Sequence, residues 1–465
     1  MPISFAKAVP FIVFILCVTG IPVAAQSPSA DSAQIRRIFD EVLLNGGAYK
    51  NVEELTSQIG ARLSGSPQAA KAVEWTEKKL REAGADSVWL QEVKVPHWVR
   101  GEKEMGTLIR SDGKRQEVPT CALGMSVATP KEGVTAQLVE VHDFDELKKL
   151  GIEKIKGKIV FYNHPFDQRF INTFDAYGEA GKYRYIGASE AAKYGAVATV
   201  LRSLSSSDND FPHTGAQRYV DSLPKIPCAA ISTNAANLVS RILKTDPSAK
   251  FFLKQNCRLL DSVLSYNVVG EIRGTEHPEE IIVAGGHLDS WDLAQGATDD
   301  ATGVVQCIEI IRAFKALNME PRRTIRVVAF MNEENGLGGG RKYAELAATN
   351  QEKHIAAMES DDGGFTPFGF GLNMEANRKS RIGQWKDLFL PYNIWRWDGD
   401  GDGADISPMT GVGKVPGIGL MVDSQPYFEL HHTAADTFDK VNKRSLHLGA
   451  AAMASLVYLL SLYGL

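Results

Sequence analysis

The chain has 465 residues, 44% hydrophobic and 23% charged, the balance of an ordinary soluble globular protein with room for two or three domains. Its formal net charge is −5 and it carries no long basic run, which speaks against nucleic acid as a partner, since phosphate binding needs clustered Lys and Arg. Five cysteines include no close Cys-x-x-Cys pair, which speaks against a thiolate zinc site.

The N-terminus reads as a secretory leader over residues 1–25. One positive charge lies in residues 1–7, an apolar run covers 8–25, and Val23-Ala24-Ala25 places small side chains before a polar stretch. Cleavage is expected after Ala25, giving a secreted or periplasmic chain with no membrane segment once the leader is removed. Pro10, Gly20 and Pro22 interrupt the run, which barely reaches the ~18–20 residues of a membrane span. Cysteines 121, 228 and 257 fall in or beside one region, where a bridge is conceivable; Cys307 lies in an apolar helical pattern and reads as a buried thiol.

Helical patterns follow at 34–44, 51–59 and 68–83, the last stopped by Gly84, and then strand-like text at 87–95. Near residue 120 the character changes. Short apolar runs at 158–162 and 196–201 alternate with Gly- and Pro-marked turns, with a helix at 188–194 between them, and the stretch 120–263 reads as an inserted domain. It interrupts a domain made of 26–119 and 264–465. Strands are predicted at 280–284, 324–330, 354–358 and 417–422. Helices are predicted at 300–317, 340–349, 380–390 and 446–462. This alternation predicts an α/β fold, a mostly parallel sheet with helices on both faces, whose sites gather at the carboxyl ends of the strands.

Those ends carry the ionisable groups. Strand 280–284 leads into His287-Leu288-Asp289, the next helix opens at Asp299-Asp300, strand 324–330 ends before Glu333-Glu334, and strand 354–358 before Asp361. Strand 417–422 precedes His431-His432 and Asp436. Taken singly, each has a bland reading; an Asp at a helix start is ordinarily an N-cap. Together they concentrate acid at one sheet edge, where it would repel itself unless a dication were bound. Imidazole and carboxylate without thiolate suit a catalytic zinc, and one bridging carboxylate would hold two ions ~3.5–4 Å apart. Within Glu333-Glu334 one side chain can bind metal while the other handles protons; the residues alone do not say which, nor do they choose between His431 and His432.

The motifs HLDS (287–290), TDDATG (298–303), NEENG (332–336), ESDDG (359–363) and HHTAADT (431–437) resemble the co-catalytic zinc aminopeptidase family. GGHLDSWD, AAKYGAVA, PHTG and PKIPCAAI carry a closer resemblance to one branch of it, over nearly the whole mature chain. The resemblance implies the zinc exopeptidase fold with a protease-associated domain as the insertion, two Zn2+ per chain, and a homodimer. It assigns His287, Asp299 and Asp361 to one zinc, Asp299 as the bridge, Glu334 and His432 to the second zinc, and Glu333 as general base. Asp289 is expected to orient His287, and Asp436 to act similarly near His432. The implied substrate is a dipeptide or short peptide with an unblocked terminus. The alternatives within this fold are an aminopeptidase on longer peptides, a receptor-like binding protein that has lost its metals, and a one-zinc glutaminyl-cyclase-like acyltransferase.

Three further signals are set aside. Asp398-Gly-Asp400-Gly-Asp402-Gly403 imitates the start of a calcium loop, but Met409 stands where its Glu belongs; a Gly-rich loop near the cleft that carries Asp405 is the expectation. Gly411–Lys414 lacks the Ser or Thr of a phosphate loop. Trp395 and Trp397 are read as packing residues.

Overall fold

The computed structural model describes residue 1 and residues 30–399, 401 and 403–465. The predicted leader and its cleavage point, and the Asp400 and Asp402 of the calcium-like loop, lie outside the described residues.

Seven strands form the first sheet, in the order Ser87–Val99, Arg258–Ile272, Arg323–Phe330, His277–His287, Lys353–Glu359, Gly417–Val422, Pro367–Asn373. Side chains alternate across it with a period of two. Val268, Ile282, Val327 and Ala356 face one core with the helices Ala30–Asn45, Thr302–Ala316 and Lys443–Tyr463. Val269, Val283, Val328 and Ala357 face another with Tyr343 of the Gly338–Thr349 helix. The C-terminal helix is long and apolar enough to cross a membrane, yet 78% of its apolar window is buried in this core. Local signals set the helix ends. Ser66 Oγ accepts the Ala69 N–H, Pro67 occupies the first turn of Pro67–Ala83, and Gly84 stops it at φ +95.

The expectation of a mostly parallel sheet is corrected. The four middle strands are parallel, but the other three pairings are antiparallel. Ser87–Val99 and Arg258–Ile272, on either side of the insertion, pair along nearly their whole length. Pro367–Asn373 (PFGFGLN) alternates Gly with aromatic and aliphatic residues, so it lacks the continuous apolar run that marks a buried strand. The predicted helix at 380–390 is divided into Ala376–Gly383 and Lys386–Phe389.

Eight strands between Met105 and Lys254 build the second sheet, with Val134–Val141, Ile159–Tyr162, Ala198–Arg202 and Cys228–Ile231 adjacent in that order. It has its own core on each face, one under Thr233–Thr245 and one under Phe144–Ile155. The sheet begins at Met105 instead of residue 120, and Arg258–Ile272 is already back in the first sheet before residue 263. The reason is pairing at a distance: Met105–Ile109 aligns with Lys250–Lys254, and Arg115–Val118, exposed up to the buried Val118, follows it by a short hairpin. Neither leaves a strong local signature.

Trp397 packs between Phe370 and Phe389, whereas Trp395 is half exposed beside Phe368. Cys121, Cys228, Cys257 and Cys307 are free and buried, and burial is the leading reason that all four thiols stay protonated well above their ordinary range. A thiol reagent should therefore leave these four cysteines unmodified in the native chain and label all four after denaturation without reductant. Fewer than four on denaturation would reveal a bridge that this fold does not contain.

Candidate metal centre

Strand register brings the acidic turns to one edge. His287 lies opposite Phe330, three residues before Glu333, and Gly285 lies opposite Glu359, two residues before Asp361. The helix that follows Asp299 presses onto the same edge at Gly303, where a Cβ would sit 1.9 Å from the Ser360 carbonyl oxygen.

The predicted ligands converge there in two groups. His287 Nε2 lies 3.0 Å from Asp299 Oδ1 and 3.1 Å from Asp361 Oδ1. His432 Nε2 lies 3.3 Å from Asp299 Oδ2 and 3.1 Å from Glu334 Oε2. Each oxygen of Asp299 thus faces a different imidazole. His431 Nε2 is also near, 3.8 Å from Asp299 Oδ2, with its ring stacked on that of His432 at 3.4 Å. Its Nδ1 is buried without a partner. His432 Nδ1 instead meets the Thr214 carbonyl at 3.3 Å, and only the His432 ring faces Glu334.

These groups suit a bound dication. His287 Nδ1 lies 2.9 Å from the Asp289 carbonyl, an acceptor, so the proton sits on Nδ1 and a neutral ring turns its Nε2 lone pair toward two carboxylates. Asp299 Oδ2 and Asp361 Oδ1 are buried and accept no hydrogen bond. Lone pairs facing one another in a buried site are costly unless a cation lies between them. The donor set of nitrogen and oxygen without thiolate fits zinc with open positions.

Surrounding bonds hold the turns, though not in the way expected of Asp289 and Asp436. Asp289 meets His287 through its main-chain carbonyl, and its carboxylate Oδ1 accepts the N–H groups of Asn332 and Glu333 at 2.7 and 3.0 Å. Asp436 does not contact His432 in this way. Its carboxylate accepts Thr298 N–H, Thr298 Oγ–H and Asp299 N–H at 2.7, 2.8 and 3.1 Å, fixing the turn that carries Asp299. Asp300 Oδ2 accepts the His287 N–H at 3.1 Å. Periodicity gave no hint of Arg62, which is fully buried and donates to the carbonyls of Leu288, Gln295 and Gly296. It places one fixed positive charge behind Asp299, Asp300, Asp289 and Asp436.

Glu333 and Glu334 point apart. Glu334 is held by the Trp291 N–H at 3.0 Å and faces His432. Glu333 lines a cleft of about 1040 Å³ between the two sheets' loops. Burial, joined by the charges of Asp361, Asp299 and Asp289 and opposed by His287, pushes its carboxyl up to about 8. The positive charge of a bound dication acts in the opposite direction. Phe174, Tyr177, Arg184 and Arg218 from the second lobe form one wall of the cleft. Gly403 and Ala404 confirm a Gly-rich loop at the other wall; Asp405 itself is buried behind it, donating its N–H to Glu359 at 3.2 Å.

Residues 267–457 match the model of peptidase family M28. Carboxypeptidase Q of Bos taurus is 36% identical over 416 residues, 89% of this chain and 85% of that protein. The crystal structure of a peptidase M28 precursor from Shewanella amazonensis is 31% identical with a TM-score of 0.87, covering 93% of this chain and 96% of that one. BSAP, a zinc aminopeptidase from Bacillus subtilis, shares the fold with a TM-score of 0.62 at 19% identity, covering 89% and 94%.

The role given to Asp436 is open to a direct measurement. Replacing it by Ala leaves three donors around Asp299 unpaired, and zinc affinity is expected to fall roughly 10–100-fold, read by zinc titration against a chromophoric chelator. Wild-type affinity would show that the Asp299 turn holds itself.

Proposed function

This chain belongs to peptidase family M28 and is a metallo-exopeptidase, and from that premise we propose that it is an exported di-zinc dipeptidase. The observation that carries the two-ion reading is the bridging placement of Asp299, with His287 and Asp361 on one side and Glu334 and His432 on the other. We assign His287, Asp299 and Asp361 to the first ion, Asp299, Glu334 and His432 to the second, and the base role to Glu333.

When bound, zinc supplies a Lewis acid that polarises the scissile carbonyl and makes a water acidic enough to attack it. The chain's own part is positioning and proton transfer. Asp289 fixes the turn below Glu333, so that the Glu333 carboxylate stands in the cleft beside Asp361 and Asp299. Glu333 takes the proton of the attacking water and returns it to the departing amine, a role that requires it to be the carboxylate of the doublet that does not hold metal.

Dipeptide length is supported by the chemistry of the cleft. Arg184, Arg218, Arg341 and Arg396 line it, cations suited to grip a free carboxylate, and the Asp362 carboxylate can meet a free amine. Arg184 donates from Nη2 to the Tyr177 hydroxyl at 2.6 Å, and its buried Nε has no acceptor. The second lobe, read as a protease-associated insertion, thus forms a wall of the site.

Glu333→Gln should retain wild-type zinc content while peptide hydrolysis falls roughly 10²–10⁴-fold. Near-normal turnover would sink the base assignment. Substrate class is read separately with a dipeptide panel offered free, N-acetylated and C-amidated. Free dipeptides are expected to be cut and both blocked sets spared; equal cleavage of the acetylated set would rule out recognition of the amino terminus.

A further inference from the structure

His432 is the one proposed ligand whose orientation depends on the other lobe. Thr214, in the second lobe, donates its N–H to the His432 carbonyl at 2.9 Å. Its own carbonyl lies 3.3 Å from His432 Nδ1. The main chain of one residue thereby holds both the backbone and the ring of His432. The backbone needs holding, because His432 has φ +62, a region sparsely populated by non-glycine residues that persists where the surroundings over-determine it. The ring needs it for tautomer choice. Arg184 Nη1, 3.4 Å from Nδ1, offers only donors; a bond from it would leave the ring proton on Nε2, the nitrogen that faces Asp299 and Glu334. The Thr214 carbonyl draws the proton to Nδ1 and leaves the Nε2 lone pair free.

The Thr214 peptide is itself fixed from both lobes. Its hydroxyl donates to the Ala122 carbonyl at 2.8 Å and accepts from Arg100 Nη2 at 3.3 Å. Arg100 also pairs with Asp292 at 2.6 Å, next to the Trp291 whose N–H holds Glu334. The neighbouring Gly215 carbonyl accepts the Gly124 N–H at 2.9 Å. Gly215 has φ +129, and a Cβ there would lie 2.7 Å from His432 Nδ1 and 2.5 Å from Arg184 Nη1. His287 has no such dependence: its Nδ1 meets the Asp289 carbonyl and its N–H meets Asp300, both in loops of the first sheet.

We propose that Thr214 and Gly215 are positioning residues for one metal ion only, so that the seating of the second lobe sets the affinity of the Glu334/His432 site and leaves the His287/Asp361 site unaffected. This inference rests on the two-ion reading above. A lobe that carries part of the cleft wall also completes the centre, so a chain with its second lobe unseated holds one ion and lacks half of its Lewis-acid pair.

The test is zinc titration of the metal-stripped full-length chain, counting ions by mass spectrometry and reading affinities by chelator competition. The wild type is expected to take two ions. Thr214→Val, which keeps shape and removes the hydroxyl anchor, should weaken one ion several-fold, and Thr214→Ser should restore it. Gly215→Ala should weaken that same ion by roughly 10–100-fold, the usual effect of disturbing a ligand's outer partner. Gly181→Ala, in open space on a helix of the same lobe, should change neither. In a His432→Ala background, which keeps the first ion alone, Thr214→Val should have no effect. Equal weakening of both ions by Thr214→Val, or two wild-type affinities in both Thr214→Val and Gly215→Ala, would overturn the inference. A wild-type chain that saturates at one zinc would overturn the two-ion reading and this inference with it.

Discussion

The two oxygens of Asp299 face two different imidazoles inside a buried pocket, and much of the surrounding structure can be understood as what makes that arrangement tolerable. A carboxylate out of water is expensive unless its charge is met. Here Asp299, Glu334 and Asp361 crowd together with Glu333 and Asp289 close by, so each raises the cost of ionising the others. Arg62 supplies one fixed positive charge behind them, and dications at the centre would supply the rest.

Holding such groups in place takes hydrogen bonds that do not themselves belong to the centre. Asp436, Asp289 and Asp300 each accept main-chain N–H groups from the turns that carry Asp299, Glu333 and His287. These three acids have the composition of ligands and the function of scaffolding. For Asp436 and Asp300 the difference is directional: both of their oxygens accept main-chain N–H groups and have little left for a metal, whereas Asp299 Oδ2 and Asp361 Oδ1 have no donor at all; Asp289 is held through Oδ1 alone.

The two sheets contribute unequally. The first places every proposed ligand, because parallel strands in register end at the same edge and their following turns share one space. The second supplies a wall of aromatic and cationic side chains and the Thr214 peptide that meets His432. Trp291, whose N–H holds Glu334, and Arg100, paired with Asp292, lie at the junction between the lobes.

By itself the sequence determined the strand–helix alternation, the convergence of His287, Asp299, Glu333, Glu334, Asp361 and His432, and the class of chemistry they support. These are local facts: a strand is a short apolar run, and the residues after it lie at a predictable edge. Periodicity could not choose between His431 and His432, which are adjacent in the chain; the motif pattern selected His432, and the fold gives that choice a physical basis in the ring that meets Thr214 and Glu334. Only the tertiary structure decided that Asp436 serves the Asp299 turn, that Arg62 underlies the acids, that three of the first sheet's pairings are antiparallel, and that the second sheet starts at Met105. Each of these depends on partners far apart in the chain, between Arg62 and Gln295, Asp436 and Thr298, or Met105 and Lys254. No local periodicity encodes such pairings, because they form when the packed sheets bring those segments together.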